Sequence, residues 1–177
     1  GYRGPAGTFT ESALLTQGDL AESEHVLFRS HSDVLHSVAS GEVDFGFCAI
    51  ENAIEGTVNV VQDTLAFDSE LLIQREVVIP ITMNLLVQPG ASLKDIKKVI
   101  SYPHALAQVR SFLRDALPEA EFEAANSTAD AAQTLSGNES SDVAAVGTRL
   151  AADRYGLDIA AEAIEDHEGN QTRFVLI

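Results

Sequence analysis

The stretch VVIPITMNLLV (77–87) decides how the rest of the chain is read. Its odd positions, Val77, Ile79, Ile81, Met83, Leu85 and Val87, are all apolar, and a period of two predicts one long strand. Pro80 has no amide proton to give a ladder, which puts that strand at a sheet edge or at a crossover between two lobes. The run is also the greasiest in the chain, but Pro80, Thr82 and Asn84 break it well short of the roughly 20 residues that span a bilayer.

Outward from this run, strand and helix signals alternate. Before it, 9–16 reads as a helix after a glycine turn and HVLFR (25–29) as a short strand. Ser32 or Asp33 caps a helix with Val34, Leu35 and Val38 on one face and Gly41 at its end. DFGFCAI (44–50) is strand-like, and Thr57 is placed to cap a helix with Val58, Val61 and Leu65 inside. After it come a strand at KKVIS (97–101), one helix from Pro103 to Leu117, and FEAA (122–125) leading to a helix capped by Ser127 or Thr128. DVAAVG (142–147) is a strand, 148–155 a helix, and the last strands lie near 157–163 and 171–177. Repeated strand–helix units predict an α/β fold with largely parallel sheets. In such sheets ligands gather at the carboxyl ends of strands, where helix N-termini point.

Composition narrows the function. A chain of 177 residues with 45% hydrophobic and 21% charged residues suits one domain or two small lobes. Formal net charge is −16, from 27 acids against 11 bases, which argues against a nucleic-acid or anionic-membrane surface. An anionic small molecule would need a local trap of helix N-termini and a few arginines. The one cysteine, Cys48, allows no internal disulfide and fits a reducing compartment; with no secretion pattern at the start, a cytoplasmic location is expected.

Four junctions carry polar residues suited to chemistry. GPAGTFTESA (4–13) offers Thr8 and Thr10 at a glycine turn, without the lysine of a P-loop or the spacing of a dinucleotide fingerprint. AIENAIEGTV (49–58) presents Glu51 and Asn52 as a strand ends, either as a loop brace or as ligand contacts. ISYPHALAQVRSFL (100–113) presents Ser101 before a helix opened by Pro103; Leu106, Val109, Phe112, Leu113 and Ala116 form its core face, and His104 with Gln108 share another. NQTRF (170–174) sets Thr172 and Arg173 against an apolar strand. No histidine spacing suits a metal, and no nucleophile elbow or Cys–His arrangement occurs.

In this order, GPAGTFT, IENAIEGTV, SYPHALAQ and TRF resemble the catalytic domain of the prephenate dehydratases over essentially the whole chain. The resemblance implies a two-lobed α/β fold like the type II periplasmic binding proteins, with a cleft between two mixed, mostly parallel sheets. Residues 1–80 plus 164–177 would form lobe one and 81–163 lobe two. It implies conversion of prephenate to phenylpyruvate, water and CO2 in phenylalanine biosynthesis, a carbon–oxygen lyase reaction needing no cofactor, metal or covalent nucleophile. Aromatisation supplies the driving force, so the protein has to hold a dicarboxylate and donate to the departing oxygen. Carried over by motif, Thr172 makes that donation; Arg173 binds a substrate carboxylate or braces the site through Glu51; Phe174 walls it. Thr8, Thr10, Glu51, Asn52, Ser101, His104 and Gln108 line the substrate.

The chain departs from the family pattern at Ala53, where Ser or Thr is usual, and at Ser101-Tyr102-Pro103-His104, where Ser-His-Pro-Gln is common. His104 in place of an amide would add a pH dependence. The usual cysteine after Gln108 is Val109. The regulatory ACT domain that commonly follows is not in this chain, so feedback inhibition through it is not expected. A homodimer or higher homo-oligomer is expected. The alternatives are a prephenate decarboxylase that does not aromatise, against which Thr172 speaks, and a non-catalytic solute-binding protein of the same fold. Arogenate is an alternative substrate.

Overall fold

The run at 77–87 forms two strands instead of one. In the structure, a computed structural model that describes residues 1–138 and 140–177, the strands are β1 (Tyr2–Arg3), β2 (Leu27–Phe28), β3 (Phe47–Asn52), β4 (Gly56–Thr57), β5 (Arg75–Pro80), β6 (Asn84–Val87), β7 (Lys98–Ser101), β8 (Glu121–Ala124), β9 (Val143–Gly147), β10 (Asp158–Ala161) and β11 (Gln171–Leu176). The helices are α1 (Phe9–Leu15), α2 (Gly18–Ala21), α3 (His31–Ala39), α4 (Asn59–Asp63), α5 (Pro103–Gln108), α6 (Arg110–Ala116), α7 (Thr128–Ser136) and α8 (Arg149–Tyr155). Ile81 and Met83 keep the apolar alternation and are buried, yet their amides leave the ladder. The Ile81 N–H donates to Asn170 O at 2.8 Å and the Met83 N–H to the Glu165 carboxylate at 2.9 Å. Side-chain periodicity therefore continues where strand pairing stops.

The chain divides there into two compact units: Gly1–Pro5, Phe9–Ile81 and Gly169–Ile177 form the first, Ala6–Thr8 and Thr82–Glu168 the second. Three details differ from the boundaries expected above: Ile81 falls in the first unit, where its N–H donates to Asn170 O, and two further segments change sides. Ala6–Thr8 belong to the second unit because Thr148 Oγ1 donates to Gly7 O at 2.7 Å and Tyr155 Oη to Ala6 O at 2.8 Å. Residues 164–168 belong there too, since the Ile164 N–H donates to Met83 O and the Asp166 carboxylate takes the Ser111 N–H. Gly7 adopts a φ of +91°, and a Cβ on it would sit 3.1 Å from both Ala151 Cα and Cβ, so only glycine fits this tie.

The first unit is a mixed sheet of order β2-β1-β3-β11-β5, with β4 paired to β3. β1 runs parallel to β2 and β3, whereas β11, from the far end of the chain, inserts antiparallel between β3 and β5. Strand alternation sends Phe47 and Phe174 into one core with Tyr2, Ala13 and Leu14, and sends Cys48 and Val175 into another with Val34, Leu35 and Val61. β5 is an edge strand, which accounts for its tolerance of Pro80. Ser30, two or three residues earlier than expected, caps α3: its hydroxyl accepts the Asp33 N–H while the Asp33 carboxylate accepts the Ser30 N–H, so Asp33 is the far half of a capping box. Thr57 lies in β4, and α4 begins at Asn59 without a side-chain cap.

The second unit is a mixed sheet of order β10-β6-β9-β7-β8, with β7 parallel to β8 and β9 and with β6 antiparallel to β9 and β10. All of β6 and β9 is buried, and Ala131, Ala132, Ala145, Ala151 and Ala152 let α7 and α8 approach the sheet closely. Both sheets are thus mixed: in the first, β11 returns antiparallel between β3 and β5, and in the second, β6 runs antiparallel between β9 and β10. The helix expected from Pro103 to Leu117 is two helices, α5 and α6, broken at Val109. Asp166 explains the break: its carboxylate accepts the Ser111 N–H at 3.1 and 3.0 Å, and its own N–H donates to Gln108 O at 2.7 Å. Both backbone groups that a continuous helix would pair internally are taken by one distant residue.

Candidate active site

In the first unit, the end of β3 meets the start of β11. Their register sets Asn52 opposite Thr172 and Glu51 opposite Arg173. The Asn52 amide nitrogen donates to Asn170 Oδ1 at 2.8 Å, to Thr172 Oγ1 at 2.8 Å and to Gln171 O at 3.1 Å. Asn52 Oδ1 accepts the N–H groups of Ile54 and Glu55, both at 2.9 Å. A flipped amide would oppose its oxygen to three acceptors and its nitrogen to two donors, so chemistry alone fixes its orientation. Thr172 is only 8% exposed and its oxygen is an acceptor from Asn52, which leaves the hydroxyl proton for another partner.

Successive strand residues point to opposite faces. Thr172 is buried on the Asn52 side, whereas Arg173 is exposed on the Glu51 side. The Arg173 guanidinium lies 2.6 Å from Glu76 Oε2 and 3.3 Å from Glu51 Oε2, bridging β5, β11 and β3. Two carboxylates flank this cation, so its local charge is already answered. Phe174, expected to wall a site, is a core residue stacked on Phe47 with centroids 5.6 Å apart and planes at 7°. Thr10 is half-buried in the first turn of α1.

The remaining expected residues belong to the second unit. Ser101, fully buried at the end of β7, donates its hydroxyl to Val146 O at 2.8 Å and so ties β7 to β9. His104 and Gln108 lie four residues apart in α5; His104 is exposed and stacks on Tyr102 with ring centroids 5.1 Å apart, while Gln108, at the end of the helix, is buried. Thr8 is half-buried in the loop that Thr148 and Tyr155 hold.

Sequence reading passed over Asn170 and Thr148. Asn170 is 4% exposed and accepts from Asn52, and its position two residues before the threonine of the TRF motif was the available signal. Thr148 caps α8 through the Ala151 N–H while donating to Gly7 O; a threonine directly after a buried strand was the signal there. Cys48 is fully buried, and burial pushes its thiol up to about 12, which makes it inert as a nucleophile. Among the described residues no group of three His, Cys, Asp or Glu is arranged to hold a metal, and no helix is long and apolar enough to cross a membrane.

The chain thus combines a two-unit α/β architecture with a positioned hydroxyl at a strand end. Comparison with known proteins narrows the class. The family described as prephenate dehydratase matches residues 1–177. The chain is 37% identical to a prephenate dehydratase of Bacillus subtilis (strain 168), over 100% of this chain and 62% of that protein. Its fold matches a prephenate dehydratase from Arthrobacter aurescens in complex with L-Phe, with a TM-score of 0.90 and 37% identity over 99% of this chain and 58% of that one. A structure described as GqqA, a quorum quenching acylase, gives a TM-score of 0.86 at 25% identity, over 99% of this chain and 62% of that one. The chain belongs to the prephenate dehydratase family. It spans about three fifths of the length of the curated relatives it matches.

Proposed function

We propose that this chain converts prephenate to phenylpyruvate, CO2 and water. The observation that carries the reading is the Thr172 hydroxyl, nearly buried and oriented by Asn52, with its own proton uncommitted to Asn52. In the reaction the bond to the ring carboxylate breaks, its electrons enter the ring, and the ring C–O bond breaks on the opposite side. Thr172 donates to the leaving oxygen as that bond stretches, giving water, and regains a proton from solvent. A threonine hydroxyl is too weak an acid to act earlier, so donation and C–O cleavage are concerted. Negative charge develops on the leaving oxygen alone, where one fixed donor is worth most.

Arg173 serves by locking β3, β11 and β5 in register through Glu51 and Glu76, which keeps Thr172 opposite Asn52. Thr8, Thr10, Glu51, Asn52, Ser101, His104 and Gln108 are proposed to line the substrate, as their match to the family motifs implies; Ser101 and Asn52 do so chiefly by holding backbone and neighbours in place. A homo-oligomer is supported by Phe67, Leu72 and Ile73, all exposed on one stretch of the first unit, and a reducing cytoplasm by the single buried thiol. That same burial argues against Cys48 as the nucleophile of an acylase.

Incubation of the purified chain with prephenate tests the reading through the appearance of phenylpyruvate. CO2 release with a product that keeps the ring hydroxyl would replace it with the decarboxylase, and tight binding without turnover with the binding protein. Arogenate, run in parallel, ranks the two substrates by kcat/KM.

A further inference from the structure

We infer that Asn170 is a positioning residue, acting on the leaving-group hydroxyl of Thr172 through the Asn52 amide; this deepens the dehydratase reading and rests on it. The Asn52 amide nitrogen has two protons and two side-chain acceptors at 2.8 Å, Asn170 Oδ1 and Thr172 Oγ1. Each acceptor therefore settles where the other proton goes. With Asn170 in place, one N–H is held away from Thr172 and the second is aimed along the line to Oγ1. Thr172 is thereby held as an acceptor, and its own O–H is turned outward to donate.

Asn170 is suited to this task by burial and by its backbone. It is 4% exposed, so water does not compete for Oδ1, and its carbonyl oxygen accepts the Ile81 N–H at 2.8 Å. The residue is thus pinned to the end of the β5 segment while its side chain faces Asn52. The opposite end of the Asn52 amide is held by the N–H groups of Ile54 and Glu55, so what remains to be set is how its two protons are shared among Asn170, Thr172 and Gln171 O. Removing Asn170 Oδ1 frees one N–H to turn towards Gln171 O, which already lies at 3.1 Å, and the amide swings with it. The hydroxyl that depends on that amide then loses its direction.

A double-mutant cycle with the whole chain tests this. Asn170→Leu should lower kcat about 10- to 100-fold, the scale of a small misplacement of a catalytic group, with KM little changed. Asn170→Asp, which keeps an acceptor oxygen, should recover most of the rate. In a Thr172→Ala background, Asn170→Leu should cost nothing further, because the group it positions is gone. The side-chain amide protons of Asn52, followed by NMR, should exchange with solvent faster in Asn170→Leu than in the parent. A leucine variant with parental kcat, or one whose loss persists undiminished beside Thr172→Ala, overturns the role. If the leucine variant does not fold, Asn170→Ser, whose short hydroxyl falls away from Asn52, carries the same cycle. A parent chain that makes no phenylpyruvate sinks the dehydratase reading instead, and the amide exchange still decides separately whether Asn170 holds Asn52: unchanged exchange overturns it.

Discussion

Two sets of polar side chains, one in each unit, are used in opposite ways. At the mouth of β11 in the first unit they bond to one another: Asn170 to Asn52, Asn52 to Thr172, Arg173 to Glu51 and Glu76. In the second unit Ser101, Thr148 and Asp166 bond to backbone: Ser101 to Val146 O, Thr148 to Gly7 O and the Ala151 N–H, and Asp166 to the Ser111 N–H. A hydroxyl given to a carbonyl has lost its proton to the fold. A hydroxyl that accepts from an amide still has a proton to give. The contrast teaches that burial of a polar residue says little about function until the direction of its hydrogen bond is known.

The largest effect expected from breaking this contrast is at Thr172. Thr172→Ala should reduce kcat roughly 10²- to 10³-fold, the usual loss of one donor aimed at developing charge, while leaving the unfolding temperature close to that of the parent. Turnover within about tenfold of the parent would remove Thr172 from the chemistry.

Next in size is an effect on stability that neither bonding pattern covers. His31, at the start of α3, has a buried Nδ1 with no hydrogen-bond partner among the described residues. Burial, assisted by the nearby Arg3 charge, lowers its pKa from 6.5 to about 4. The unfolded chain therefore binds a proton that the folded chain refuses. The stability this represents is present above pH 6.5 and is lost as pH falls towards 4. The loss should reach about 2 kcal/mol by pH 5, and His31→Phe should remove that part of the acid slope, as urea unfolding of both proteins at pH 7.5 and 5 will show.

Ser101→Ala should behave as the reverse of Thr172→Ala: about 1–2 kcal/mol less stable, from the orphaned Val146 carbonyl and the lost tie between β7 and β9, with kcat little altered. A large loss of kcat at unchanged stability would place Ser101 with the first unit's residues in function. The smallest stability effect belongs to Arg173→Met. Its ion pairs are half-exposed, so the loss should stay below about 1 kcal/mol in denaturant titration. If Arg173 is a brace, kcat falls with KM held; if it binds a substrate carboxylate, KM rises instead.

Much of the fold was legible because its signals are local. Alternation along 77–87 correctly put Ile81 and Met83 inside, and the 3.6-residue rhythm of Val34 and Leu35 found the buried face of α3. The TRF and IEN segments marked the ends of two strands that do pair. Two readings failed where a remote residue intervened: Glu165 and Asn170 take amides that one long strand would have used, and Asp166 splits a helix from a sequence separation of 55. A third failed locally, where Ser30 outcompetes Ser32 because its box with Asp33 satisfies two amides at once.

By itself, then, the sequence determined which residues are apolar on which face, the order of strands and helices, and the family motifs that bring Thr172 into question. Such patterns depend on neighbours a few positions away, and chain geometry enforces them wherever the segment ends up. The tertiary structure alone decided that Asn52 meets Asn170 and Thr172 from 118 and 120 residues away, and that Arg173 is answered by Glu51 and Glu76 on the opposite face. No local period encodes those partners. They are set when β11 slots between β3 and β5, and one residue of register would turn every one of its side chains to the other face.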